Sequence, residues 1–289
     1  MMFLMGLVTA LAFVPLVWIV TYVMAKGGRY LNPAFFTQLP KPMGVEGGGI
    51  LHAIEGTLLL VGLATLFAIP IGVLAAFYVA EHSNASLAIA VRFGTDVLAG
   101  VPSIVIGLFC YTVVVKSQGH FSALAGGVAL AIIMLPTIVR TTEEMLKLVP
   151  RSLREASLGL GAPEWKTSLK VLMPAAIEGI ITGFLLAMAR AAGETAPLLF
   201  TALGNDRYEI SKIIRQGIAA GMSAGQIISG VIGQPVDALP LTLWKYAQQP
   251  YPERIAQSWA VALVLMTFVL SVNVFVRIWI QRRMSRLKG

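Results

Sequence analysis

The chain has 289 residues, of which 57% are hydrophobic and only 12% charged, with a net charge of +8 and a mean hydropathy of +0.79. Soluble domains carry roughly 25% charged residues, so this composition excludes an ordinary soluble globular fold. The basic excess suits an anionic lipid surface, and no nucleic-acid module is visible.

Five windows hold no charge for 19 residues or more: Met1–Ala25, Gly56–Ala80, Val97–Val115, Phe121–Val139 and Ile255–Val276. A helix needs roughly 20 apolar residues to cross a hydrocarbon core of about 30 Å, so each qualifies as a span. The apolar stretch from Gly179 to Ala202, interrupted by Arg190 and Glu194, makes a sixth. The chain opens directly into the first window without a basic flank. That run is too long for a cleaved signal peptide, and "MAKGGRY" offers no small-residue cleavage site. A start assigned late, with a basic leader missing, fits better. No internal repeat or low-complexity segment is found, so residues 1–289 read as one all-α, polytopic membrane domain.

"IPIG" (Ile69–Gly72) and "VPS" (Val101–Ser103) bring proline into spans, where kinks are expected rather than substrate contacts. Trp18, Trp244, Trp259 and Trp279 fall near span ends or in the outer loop, as interfacial anchors do. Cys110 stands alone in the third span and can form neither an internal disulfide nor a metal site. His52, His82 and His120 lie on different loops at spacings that suit no metal. A P-loop requires Gly-Lys, and that dipeptide never occurs. No cofactor is expected, and any ATP must be bound by another chain.

Lys and Arg are retained on the cytoplasmic side of membrane proteins. Arg140–Lys170 holds six basic residues and the tail from Arg277 holds five with no acid. Six spans put these segments on one side and both termini in the cytoplasm. The uncharged window Gln216–Val236 carries five glycines among 21 residues. It is read as a loop with a helix or two outside the bilayer, between the fifth and sixth spans.

The connection between spans four and five contains "VPRSLREASLGLGAPEWKTSLKVLMPAA". Ser152 and Glu155 fit a capping box, and Leu153, Ala156 and Leu160 then share one face. Gly161 stands where a left-handed helix stop belongs. Pro163 suits the first turn of a second helix, which runs through Trp165 and Leu169 until Pro174 admits the fifth span. The stretch resembles the "EAA" loop of ABC-importer permeases: Glu155-Ala156-Ser157, then Gly161 after three residues, then Val171, Met173 and Pro174. Ser, Val and Met depart conservatively from that motif, while Glu, Gly and Pro keep register. The resemblance implies an ATPase-coupling site at Glu155, Ala156, Ser157, Gly161, Ala162 and Pro163. Without it the same residues would simply cap and end helices.

"EGGGILHAIEGTLLL" (46–60), "AGVPSIVIGLF" (99–109), "ARAAGETAPLLFTALG" (189–204) and "YAQQPYPE" (246–253) extend the likeness over nearly the whole chain. They are similar to PstA-type permeases of bacterial phosphate importers, except for the missing basic leader and a longer segment at 205–237. The resemblance implies a type I importer permease in the bacterial inner membrane, with a coupling loop at 140–174 and an extracytoplasmic loop at 203–255. It also implies its partners: a homologous PstC-type permease, two PstB-type ATPase subunits and a periplasmic phosphate-binding protein. Inorganic phosphate is then the substrate, the chain itself is no catalyst, and Arg190, Glu194 and Thr195 belong to the pathway. A related importer for sulfate or molybdate is the alternative. An ion-coupled secondary transporter is disfavoured by the lack of internal symmetry.

Arg190 and Glu194 decide how the fifth span is used. Gly183, Ala187, Arg190 and Glu194 follow helical spacing that puts them on one face. Counted from Pro174 at about 1.5 Å per residue, Arg190 lies near mid-bilayer. Two readings remain open: an ion pair that locks helices together, or a cationic step on an anion path.

Overall fold

The computed structural model describes residues 2–42, 44–45 and 47–285; Arg286 and Lys288 of the basic tail lie outside them. In chain order the helices are α1 (Met2–Gly27), α2 (Leu51–Glu81), α3 (Ser86–Gly100), α4 (Ser103–Gln118), α5 (Ala123–Lys147), α6 (Arg151–Gly159), α7 (Glu164–Ala192), α8 (Ile210–Ala219), α9 (Ala224–Ile232), α10 (Leu239–Ala247) and α11 (Pro252–Ser285). No named β-strand occurs among the described residues.

Five helices are long and apolar enough to cross a membrane alone: α1, α2, α5, α7 and α11. The third predicted span is corrected. Val97–Val115 straddles two helices that meet at 106°. Pro102 is the cause, because its ring drives the preceding residue out of the helical region, and Val101 is extended at φ −71°, ψ 130°. The pair still traverses the bundle. α3 is tied to the C-terminal part of α5 through Arg92–Glu143 and Asp96–Arg140. α4 ends at Gln118, which accepts a hydrogen bond of 2.8 Å from Ser122 at the opposite end of α5. α3 and α4 therefore make one bent crossing, the sixth.

Pro70 behaves differently: α2 runs through it as one helix. Pro174 does not open a new helix either. α7 is continuous from Glu164, and a π turn at Ser168–Leu172 precedes the proline. Such a turn absorbs the clash and the missing donor that proline brings.

α5 is the centre of the bundle, packed on α2 and α7. A Cβ on Gly183 would overlap Thr141, and one on Gly179 would overlap Met145. These contacts set α7 antiparallel to α5, and continuing the register brings Arg190 level with Met134, near the middle of α5. Small residues at the contact permit this close approach. On α2 the packing is equally tight, with Ile138 against Gly72.

The segment after α7 stays at the N-terminal end of α5. Ser122 donates its backbone N–H to Thr201 (3.1 Å), and Ala123 donates to Gln234 (2.9 Å). Between these anchors α8 and α9 form a hairpin around Gly221, whose φ is +67°. Each helix is only about 15 Å long, too short to cross. Gln216–Val236 thus contains helical turns that are too short to span, as the sequence reading expected of it. At the same end Trp259 meets Tyr22 edge-on at 5.1 Å, joining α11 to α1; Trp18 is exposed.

Candidate functional site

Arg190 lies in the last turn of α7, which ends at Ala192. Glu194 is therefore not on the helix face predicted for it. The face splits: Gly183 and Ala187 are buried against α5, whereas Arg190 is 47% exposed. Gly193 closes the helix, with the N–H of Glu194 donating to Ala191 at 3.2 Å. Arg190 Nε lies 3.5 Å from Glu194 Oε1. The pair thus closes across the frayed end of one segment and connects no second helix.

Beyond it the backbone is irregular. Thr195 precedes a single turn at Ala196–Leu199, and its carbonyl accepts from Leu198 and Leu199 at 3.2 and 3.3 Å. Pro197 of that turn lies against Gly107 of α4, where a Cβ would be blocked. Non-helical backbone at membrane depth is tolerated only inside protein or along a water-filled cavity. In transporters, broken helices turn their N-terminal ends toward anionic groups and their C-terminal ends toward cations; α7 brings a C-terminal end here, so any attraction for an anion must come from Arg190 itself. Arg190, Glu194 and Thr195 come together here. The sequence carried a signal for the break in Gly193 followed by Pro197.

The second site is the α6 loop. Gly161 takes φ +81° as expected. Ala162 donates to Ser157 (3.2 Å) and Gly161 to Leu158 (2.9 Å), the two bonds of a Schellman stop. The capping box does not form: Pro150 is the N-cap of α6, with no side-chain cap. Pro163 likewise sits one residue ahead of α7 as its N-cap. Ser157 Oγ and Thr167 Oγ1 are 2.8 Å apart and pin α6 onto α7. The predicted face of Leu153, Ala156 and Leu160 is uncovered, Leu160 by 89%. Glu155, Ala156, Gly161 and Pro163 are exposed beside it, with Ser157 and Ala162 partly covered.

A third constellation escaped the sequence reading. His52 of α2 and Asp237, just before α10, are both fully buried, with Nε2 and Oδ2 3.3 Å apart. Lys245 of α10 bridges Asp237 and Asp206, the latter at 2.5 Å. His52, Asp206 and Asp237 come within 4.8 Å of one another, a donor set that could hold a cation. The ammonium of Lys245 already supplies positive charge to both carboxylates. Burial alone would raise the pKa of Asp237, but His52 and Lys245 outweigh it and hold the carboxyl down to about 2. Burial also acts against the charge of Lys245, yet Asp237 and Asp206 raise its pKa. Next to it, "YAQQPYPE" stitches the start of α11 to the segment before α2. Arg254 stacks over Tyr246 at 4.7 Å and donates to the Lys41 carbonyl, and Glu253 accepts from the Gly47 N–H at 2.8 Å.

Comparison with known proteins places these features. Residues 68–286 match the family described as "Binding-protein-dependent transport system inner membrane component". The phosphate transport system permease protein PstA of Yersinia pestis is 42% identical over 91% of this chain and 83% of its own length. PstA of Haemophilus influenzae is 41% identical over 93% and 88%. PstA 1 of Mycobacterium tuberculosis is 36% identical over 91% and 81%. Among solved structures, an inward-facing conformation of the MetNI methionine ABC transporter has a TM-score of 0.57 at 21% identity, covering 81% of this chain and 94% of that one. That likeness concerns the fold, a type I importer permease. From its six crossings, its uncovered α6 loop and these relatives, the chain belongs to the binding-protein-dependent transport system inner membrane component family, as a multi-pass PstA-type permease.

Proposed function

We propose that this chain is the transmembrane subunit of an ATP-driven inorganic phosphate importer in the bacterial inner membrane. Residues 1–289 form a single permease domain that supplies half of the translocation path. Both termini and the 140–174 connection, which begins within the last turns of α5, lie toward the cytoplasm, and the 203–255 loop faces outward. Its partners are a homologous permease, two ATPase subunits and a periplasmic phosphate-binding protein. The chain hydrolyses nothing itself. Closure of the ATPases acts on Glu155, Ala156, Ser157, Gly161, Ala162 and Pro163, and rocks the bundle between outward and inward access.

One observation carries the reading of the path. A helix-locking ion pair would join two helices, whereas Arg190 and Glu194 belong to one segment and leave the arginine half exposed at mid-bundle. An isolated charge at that depth costs at least about 2.5 kcal/mol. A guanidinium offers a planar fork suited to phosphate oxygens. Glu194 holds it between transport events, so that the anion is passed on rather than trapped. Thr195 lines the same break.

The test is the double substitution Arg190→Gln with Glu194→Gln, which removes both charges together. Assembly with the partner chains should be unchanged, and phosphate uptake should fall at least about tenfold, or about 1.4 kcal/mol. Near-normal uptake by the double variant would return the pair to a structural role.

A further inference from the structure

A second arginine–carboxylate pair matches the first in exposure, although it joins two helices where the first lies within one segment. Arg140 Nη2 of α5 lies 2.5 Å from Asp96 Oδ1 of α3, and both side chains are half exposed, by 55% and 51%. Its neighbour Arg92–Glu143 shows what a structural clamp looks like. Arg92 meets Glu143 at 2.8 Å and also donates to the Ser83 and Val79 carbonyls at 2.8 and 3.1 Å, sealing the end of α2. Glu143 is nearly buried and takes Lys147 as well. With α3 already fastened to α5 there, Arg140–Asp96 adds little holding power.

The two exposed arginines look out of the same side of the bundle. Thr141 and Gly183 mark the contact line between α5 and α7. On one flank, Ile138 of α5 and Ile181 and Phe184 of α7 close on Ile69 and Val73 of α2. At about 100° per residue, Arg140 falls about 100° from Thr141 on the other flank, away from α2, while Arg190 falls only about 20° from Gly183, at the edge of the contact line on that same side. There α7 exposes Glu178, Thr182, Leu186 and Arg190 in steps of four. By the register of α5 and α7, Arg190 is level with Met134, so Arg140 lies six residues, or about 9 Å, nearer the α6 end.

We infer that Arg140, restrained by Asp96, is a second binding step for the anion, between Arg190 and the α6 end of the path. This rests on the reading of Arg190 as a pathway residue. Each guanidinium presents donors to phosphate oxygens, and each has a carboxylate to return to when the anion leaves. Two weakly held steps offset by about 9 Å along the helix axis let the ion advance without a single site strong enough to trap it.

The test exploits Cys110, the only cysteine, which is buried. Arg140→Cys in the complete importer, in cells lacking other phosphate uptake, should lower uptake about tenfold or more with the ATPase still bound. Treatment with 2-aminoethyl methanethiosulfonate restores a cation at that position, whereas methyl methanethiosulfonate adds only an uncharged group. Uptake should recover at least about threefold with the cationic reagent and not with the neutral one. Equal responses to the two reagents, or wild-type uptake by the unmodified variant, would overturn the second step. Arg190→Cys treated in parallel separates the two levels. Charge-specific rescue at position 190 alone removes Arg140 from the path, and rescue at neither removes the underlying reading as well.

Discussion

Asp237→Asn tests how the outer end of the bundle is held. Asp237 is fully buried between His52 and Lys245, and its carboxyl is held at about 2 against an ordinary value of 3.8. At about 1.4 kcal/mol per unit, that difference contributes about 2 kcal/mol to folding when the group is ionised. The folded-state value lies below the ordinary one, so the contribution is complete above about pH 4 and is lost as pH falls toward about 2. The raised pKa of Lys245 describes the other side of the same pair and is not added. Its stabilisation is complete below the ordinary 10.5 and fades only as pH rises beyond that. Thermal denaturation of the detergent-purified complex should show Asp237→Asn lowered by about 4–8 °C at pH 7. As pH falls from about 4 toward about 2 the wild type should lose stability more steeply than the variant, so that their curves approach one another. A variant as stable as the wild type at pH 7, or two parallel acid limbs, would refute the reasoning.

At the α6 loop, Gly161 has open space around it but φ +81°, so backbone strain alone separates the substitutions. Gly161→Val should cost about 1–2 kcal/mol at the hinge and weaken co-purification of the ATPase, while Gly161→Asn, which tolerates the left-handed region, should bind nearly normally. Cysteine accessibility in whole cells should place Ser157→Cys on the cytoplasmic side and Gln38→Cys, Gly119→Cys and Gln248→Cys outside. Labelling of Gln248→Cys from the cytoplasm would reverse the proposed orientation of the outer loop.

What could be read from sequence was what depends on local order. Uncharged runs marked the crossings, and Gly161 marked the α6 stop because a left-handed residue is demanded at one position only. Hydropathy counts apolar residues without regard to backbone direction, so Val97–Val115 looked like one straight helix although Pro102 turns it by 106°. Ser152 and Glu155 had the spacing of a capping box, but Pro150 starts α6 and their side chains stay in solvent. Arg190 and Glu194 were correctly paired, yet the helix ends between them, which no periodicity could reveal. His52, Asp206, Asp237 and Lys245 lie in separate segments that only tertiary packing brings together, and Asp96–Arg140 is hidden for the same reason.

The surface of the bundle completes the argument for a shared path. α1 exposes Leu11, Phe13, Val14, Leu16, Val17 and Trp18 around most of its circumference, a surface with no charge, which lipid covers at no electrostatic cost. The flank of α5 and α7 away from α2 is different, because Arg140, Glu178, Thr182 and Arg190 all reach its surface. Arg190, near mid-bundle, would cost at least about 2.5 kcal/mol if placed against hydrocarbon. That flank therefore requires a polar cover, either water or a second polar helix surface. On the function proposed above, a homologous permease presenting a similar flank would supply both, enclosing an aqueous seam along it. Lipid-coloured α1 and charged α5–α7 thus assign the two sides of one bundle to two different surroundings.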